Sequence, residues 1–138
     1  MKILISACLL GENCKYSGGS NYSAAAAAFV EGHTVITVCP EMLGGLPAPR
    51  PCSELVDGIV RNRDGRSVDA EYRQGAALAL EIARREQPDL IILQSRSPSC
   101  GVNQIYDGTF TGRKIPGQGV FAQLAIKEGF RVIDVEDL

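Results

Sequence analysis

Four short apolar runs alternate along the chain with three segments of helical period. The runs span residues 2–7, 34–38, 89–94 and 130–135, and the helical segments span residues 22–32, 70–87 and 120–129. The runs have the length and composition of buried strands, and Ala76, Leu80 and Ala83 recur with the helical period in the longest helical segment. Strands that alternate with helices predict an α/β fold with an open, mostly parallel, Rossmann-like sheet and helices on both faces. We expect residues 1–138 to form a single domain of this kind.

The segments between these elements are long and rich in glycine, proline and serine. Residues 42–54 carry two glycines and three prolines, which predict an irregular loop. Residues 58–69 predict a small hairpin that turns at Asp64 and Gly65, and residues 95–119 predict another loop. Long loops inside a compact domain are usually functional, so we expect the site in these segments.

Composition and charge limit the partners and the cellular compartment that we expect for the protein. A net charge of −2 gives no basic surface for duplex nucleic acid, and no apolar run has the length of a membrane span. The apolar N-terminal run is interrupted by Ser6 and ends at Gly11, so we expect no signal peptide and a cytoplasmic protein. Thiols stay reduced in the cytoplasm, and the five cysteines therefore indicate metal binding or catalysis before disulfides.

Three of the cysteines follow predicted strands. Cys8 and Cys39 come directly after the first and second strands, and Cys100 lies six residues past the third. Ligands of open α/β sheets bind at the carboxyl ends of the strands, and parallel strands place these ends along one edge. We therefore expect the three thiols to meet in one cleft, although a single cysteine after a strand is usually only core filler.

Three thiolates are soft ligands that suit zinc, copper(I) or an iron–sulfur cluster. The chain has no C-x-x-C pair, which disfavours a closed structural zinc site. Three ligands with an open position are typical of catalysis, and a [4Fe–4S] cluster on three cysteines leaves one iron free. A zinc-thiolate hydrolase and a carrier of sulfur or metal without turnover remain alternatives.

Four segments carry a resemblance to a known family. They are ISACLLGENCKYSGG (5–19), VCPEMLGGLPAPR (38–50), SRSPSCG (95–101) and IYDGTFTG (105–112) with GQGV (117–120). With these segments in this order, nearly the whole chain resembles the TudS-like thiouracil desulfidases, long described as a domain of unknown function. The resemblance implies a [4Fe–4S] cluster on Cys8, Cys39 and Cys100. It also implies a hydrolase-type, non-redox removal of sulfur, as sulfide, from a thiolated pyrimidine of the thiouracil or 4-thiouridine type.

The candidate catalytic residues lie beside the cysteines. Glu41, two residues past Cys39, is the nearest candidate base for an attacking water, with a surface carboxylate as the alternative. Ser97 and Ser99 flank Cys100 and are candidates to orient substrate or stabilise developing charge, with an ordinary turn role as the alternative.

Further loop residues are expected to shape a pocket for a small thiolated base or nucleoside. These candidates are Gly44, Gly45, Arg50, Tyr106 and Asp107. Arg50 suits an anionic group of the substrate, but bonds to loop carbonyls are an equal alternative. Cys14 lies in the first motif as a candidate thiol near the cleft, and Cys52 is left out of the site.

Overall fold

A computed structural model describes all residues from Met1 to Leu138. It contains one four-stranded sheet, two two-stranded sheets and four α-helices. The strands are β1 (Lys2–Ser6), β2 (Thr34–Val38), β3 (Ser53–Val56), β4 (Ile59–Asn62), β5 (Leu90–Leu93), β6 (Gln104–Tyr106), β7 (Lys114–Pro116) and β8 (Val132–Asp134). The helices are α1 (Ala24–Val30), α2 (Pro40–Leu43), α3 (Asp69–Glu86) and α4 (Val120–Lys127), with 3₁₀ turns at Ala7–Leu10 and Val135–Asp137.

The four-stranded sheet is parallel throughout and has the order β2-β1-β5-β8. The chain leaves β1 toward β2 on one side and later returns to β5 on the other, so the strand order reverses at β1. Ser6 at the end of β1 pairs with Val38 at the end of β2, which brings the loops after these two strands side by side. The predicted parallel α/β sheet is confirmed.

The two faces of this sheet are covered by separate hydrophobic cores. Ile3, Ile5 and Ile92 point to the face that packs on α1, while Leu4 and Ile91 point to the face covered by α3 and α4. Successive side chains of a strand point to opposite faces, so one apolar run supplies both cores. The prediction of helices on both faces is confirmed. None of the helices has the length and apolar character to cross a membrane.

The small hairpin predicted within 58–69, with its turn at Asp64 and Gly65, is present, but a longer hairpin directly before it was not predicted. The β3–β4 hairpin turns at Asp57 and Gly58, both with positive φ (52° and 80°), which is typical of a type I′ turn. The Asp64–Gly65 turn exists, but it closes a single bridge between Arg61 and Ser67. The chain holds three Asp-Gly pairs, at 57–58, 64–65 and 107–108, and the first was obscured because its leading strand β3 begins directly after the proline-rich segment.

The predicted loops also contain regular structure. The segment predicted as an irregular loop from residue 42 begins inside the short helix α2 and ends inside β3, so the irregular part is 44–52. The segment 95–119 contains the β6–β7 hairpin. Three-residue strands and a one-turn helix are too short to show a periodic pattern in the sequence.

The backbones of α2 and α3 are in close contact. A Cβ at Gly75 would lie 1.8 Å from the carbonyl oxygen of Pro40, and a Cβ at Gly44 would lie 2.0 Å from the carbonyl oxygen of Glu71. Only glycine permits this approach. It fixes α2, and with it the segment that carries Cys39 and Glu41, next to the sheet edge.

We predict that Gly75→Ala destabilises the protein, although replacing glycine by alanine inside a helix ordinarily stabilises it by about 1 kcal/mol. The added methyl group must push α2 away, and overpacking of this kind costs about 1–3 kcal/mol. Urea unfolding followed by circular dichroism measures the change. The exposed neighbour Gln74→Ala is the control and should change stability by less than about 0.5 kcal/mol. A stabilised Gly75→Ala protein would contradict the close packing of α2 on α3.

Candidate metal centre and active site

A cavity of about 420 Å³ opens at the carboxyl edge of the parallel sheet. Its wall is formed by the segments that follow β1, β2 and β5, and by parts of β3, α3 and the β6–β7 hairpin. All five cysteines line it, and none forms a disulfide. The volume lies in the range of small-molecule sites.

Each predicted ligand cysteine is placed by the end of a strand. Cys8 lies in the 3₁₀ turn after β1, and Cys39 has extended backbone between β2 and α2. Cys100 ends the loop after β5, where its backbone N–H donates to Ser97 Oγ at 3.0 Å. The structure thus brings together the three thiols that the strand pattern placed at one sheet edge.

Polar donors face the cysteine sulfurs. Asn21 Nδ2 donates to Cys8 Sγ at 3.5 Å, and Ser99 Oγ donates to Cys100 Sγ at 3.6 Å. The Ser6 hydroxyl also lies against the Cys100 sulfur. Such donors stabilise thiolates, which are the form that binds metal.

Burial acts in the opposite direction on the same thiols. It raises the pKa of Cys8, and it raises the pKa of Cys100 to about 12. Burial, followed by the neighbouring Cys39, raises the pKa of Cys14 as well. The buried thiols are therefore neutral until a metal displaces their protons.

The donor set fits a multinuclear cluster better than a single ion. No three His, Cys, Asp or Glu side chains lie close enough together to ligate one metal ion. The irons of a [4Fe–4S] cluster occupy separate corners, so its cysteine ligands need not converge on one point. Three soft thiolates with hydrogen-bond donors on two of the sulfurs match this requirement.

Glu41 lies at the centre of a hydrogen-bond network beside the cysteines. Its Oε1 accepts from Arg50 Nη2 at 2.9 Å, Arg50 Nε at 3.1 Å and the Tyr72 hydroxyl at 2.8 Å. Its Oε2 accepts from Ser99 Oγ at 2.8 Å and Ser97 Oγ at 3.4 Å, and these two hydroxyls are 2.9 Å apart. The three candidate catalytic residues are therefore in mutual contact.

The guanidinium group of Arg50 makes its hydrogen bonds within this network. Its side chain is 5% exposed, and besides Glu41 it donates to the carbonyl oxygens of Pro47 and Cys14, both at 2.8 Å. Burial disfavours the guanidinium charge, but the Glu41 carboxylate outweighs burial and raises the pKa of Arg50. These contacts favour the structural alternative for Arg50 over a role in holding an anionic group of the substrate.

The other predicted pocket residues divide between the cavity wall and the surrounding structure. Tyr106 lines the cavity, whereas Gly44, Gly45 and Asp107 do not. Gly44 serves the packing of α2 on α3, and Asp107 accepts hydrogen bonds from the backbone and hydroxyl of Thr109. We leave these three residues out of the proposed site.

Sequence reasoning missed Ser6, Asn21 and Tyr72. Ser6 ends a buried apolar strand, is 2% exposed and accepts a hydrogen bond from Gln94 N–H at 3.0 Å. A polar residue inside an apolar run was the sequence feature that could have indicated its role. Tyr72 belongs to the buried face of α3, and burial followed by Glu41 raises its pKa. Nothing in its helical period indicated that its hydroxyl reaches Glu41.

Comparison with known proteins shows the family of the chain. The profile of the 2-thiouracil desulfurase family matches residues 3–137. The chain belongs to this family. The family resemblance read from the sequence motifs is thereby confirmed.

Two relatives are similar to this chain over almost their full length. The uncharacterised protein YbbK of Bacillus subtilis (strain 168) is 37% identical over 146 residues, which covers 99% of this chain and 97% of YbbK. The solved structure of the [4Fe–4S]-dependent thiouracil desulfidase TudS superposes with a TM-score of 0.92 at 37% identity. That superposition covers 99% of this chain and 92% of TudS, so the fold is shared throughout.

We predict that Arg50→Met lowers the free energy of unfolding by about 3 kcal/mol, because it leaves the Glu41 charge, only 13% exposed, without its partner. Urea unfolding measures the loss. The control is Arg84→Met, which breaks the solvent-exposed pair with Glu128 and should cost less than about 1 kcal/mol. Equal losses of unfolding free energy in the two variants would show that the Glu41–Arg50 pair stabilises the fold no more than an exposed ion pair does.

Proposed function

We propose that this chain is a [4Fe–4S]-dependent desulfidase that replaces the sulfur of thiouracil by oxygen and releases sulfide. The observation that carries the proposal is the cavity that joins Cys8, Cys39 and Cys100 to the Glu41 network. The family match and the [4Fe–4S]-dependent structural neighbour support it. Five free cysteines support a reducing compartment, and we place the protein in the cytoplasm.

Cys8, Cys39 and Cys100 would hold the cluster, and three protein ligands leave one iron without a side chain. When bound, the cluster supplies a Lewis acid for the thiocarbonyl sulfur of the substrate. The protein contributes the donors on the ligand sulfurs, from Asn21 and Ser99.

The two carboxylate oxygens of Glu41 have different hydrogen-bond partners, so one fixes the side chain and the other is free to accept a proton. Oε1 is held by two nitrogens of Arg50 and by Tyr72, which fixes the carboxylate in place. Oε2 faces only the hydroxyls of Ser97 and Ser99, which rotate readily and can give way to a water molecule. We assign Oε2 as the acceptor of the proton from the attacking water, either directly or through Ser99.

The position of Ser99 suits it to connect the carboxylate with the reacting centre. Its Oγ lies 2.8 Å from Glu41 Oε2 and 3.6 Å from Cys100 Sγ. Water adds its oxygen to the ring carbon, the carbon–sulfur bond breaks, and the sulfur leaves as sulfide with the protons of water. The reaction needs no electron donor because no atom changes its oxidation state overall.

The alternatives receive less support from the site. A mononuclear zinc hydrolase needs three thiolates that converge on one ion, and no such group is present. A carrier of sulfur or metal needs no buried carboxylate with two oriented hydroxyls. A small thiolated base or nucleoside is the substrate class that we propose for the cavity.

We predict that the anaerobically reconstituted protein converts 2-thiouracil to equal amounts of uracil and sulfide without added reductant. Glu41→Gln keeps the size of the side chain and its contacts to Arg50, so it should retain the iron content of the wild type. It should lose about 100-fold or more in kcat, because a general base contributes a factor of this order. Chromatography of uracil and colorimetric assay of sulfide measure turnover.

Arg84→Met, remote from the cavity, is the matched control and should keep wild-type kcat. Full activity in an iron-replete Glu41→Gln protein would remove Glu41 as the base. A cluster-containing wild-type protein that leaves 2-thiouracil unchanged would contradict the proposed function itself.

A further inference from the structure

The loop between β6 and β7, residues 107–113, reaches the cavity through Phe110. Phe110 is partly buried in the cavity wall, and its φ of +58° lies in the left-handed region. Bulky residues rarely adopt this conformation, because the Cβ then crowds the backbone. Strained residues of this kind persist where the surrounding structure holds them, and they are concentrated at functional sites.

Glu54 of β3 holds this loop in place. Its carboxylate is buried, with the residue 8% exposed, and Oε1 accepts from the backbone N–H of Gly108 at 2.9 Å and of Phe110 at 3.2 Å. A Cβ at Gly108 would lie 2.6 Å from the carbonyl oxygen of Leu55, so the loop rests directly on β3. One buried side chain thus fixes the backbone of the strained phenylalanine.

The loop is also closed by its own contacts. Asp107 N–H donates to the carbonyl of Arg113 at 2.9 Å, and Asp107 Oδ1 accepts from the N–H and hydroxyl of Thr109 at 2.9 and 2.6 Å. The loop therefore has a defined conformation that presents Phe110 to the cavity before any substrate binds.

Phe110 differs from the other aromatic residues of the cavity wall. Tyr72 is bound to Glu41, Tyr106 carries a polar hydroxyl, and Tyr16 is 50% exposed. Phe110 alone has a ring without a polar group. A planar pyrimidine needs an apolar face to pack on as well as polar groups at its edge, and aromatic side chains are the usual platforms for bases.

We propose that Phe110 determines affinity for the substrate by packing its ring on the pyrimidine, and that Glu54 is the positioning residue that sets the place of this ring. This proposal rests on the proposed function and extends it to substrate binding. The Phe110 ring binds the base, whereas the cysteines, Glu41 and the serines act on the thiocarbonyl group. Loss of the ring should therefore change KM and leave kcat largely unaffected.

The test measures KM and kcat for 2-thiouracil with the anaerobically reconstituted enzyme, together with uracil binding by equilibrium dialysis. Phe110→Ala should raise KM and the Kd for uracil about 10-fold or more, with kcat within about threefold of the wild type. Phe110→Tyr keeps the ring and should keep KM. The exposed loop residue Thr111→Ala is the control and should behave like the wild type. Iron content and urea midpoints verify that each variant is folded and contains the cluster.

Glu54 is tested by a pair of variants. Glu54→Ala removes the acceptor of both N–H groups and should reproduce the KM increase of Phe110→Ala. Glu54→Gln keeps a carbonyl acceptor and should restore KM to within about threefold of the wild type. A folded Glu54→Gln protein with the same defect as Glu54→Ala would overturn the positioning role.

A folded, iron-replete Phe110→Ala protein with wild-type KM and wild-type uracil affinity would overturn the role of the ring. Failure of the wild type to turn over 2-thiouracil would instead contradict the proposed function. In that case the affinities of the wild type and of Phe110→Ala for uracil test the role of the ring. A 10-fold weaker Kd in Phe110→Ala supports it, and equal affinities or no uracil binding by the wild type overturn it.

Discussion

The ion pair between Glu41 and Arg50, whose side chains are only 13% and 5% exposed, is the contact on which the geometry of the cavity depends. A buried carboxylate is tolerated only when it is paired and hydrogen-bonded, so the folded chain must bring its five donor bonds to Glu41 at once. These bonds come from the proline-rich loop, from α3 through Tyr72, and from the loop that carries Cys100. Because Glu41 lies two residues past Cys39, the same contacts hold two of the proposed cluster ligands in their relative positions.

Stability and chemistry therefore use the same side chain. Oε1 of Glu41 is saturated by groups that fix it, while Oε2 is left to hydroxyls that can exchange with water. Burial also keeps Cys8 and Cys100 neutral in the absence of metal, although donors that favour thiolates already face their sulfurs. The site is thus arranged in advance, and cluster binding must release the protons of these thiols.

The sequence predicted those features that follow from periodic patterns. Apolar runs gave the parallel sheet, and the parallel sheet placed Cys8, Cys39 and Cys100 at one edge. Contacts between distant segments could not be read in this way. Tyr72 and Ser99 meet Glu41 across 31 and 58 residues of sequence, and Glu54 meets Phe110 across 56. The β3–β4 hairpin and helix α2 were missed because short elements beside prolines and glycines show no period, and Gly44 was assigned to the pocket although its role is packing.

The iron and acid-labile sulfide content of the anaerobically reconstituted protein, measured with its visible spectrum, tests most directly whether Cys8, Cys39 and Cys100 hold a cluster. We predict about four irons and four sulfides per chain with broad absorption near 400 nm, and loss of both in Cys39→Ser. Stoichiometric zinc without sulfide, or wild-type protein that takes up no metal, would contradict the central claim that three strand-end cysteines hold a cluster.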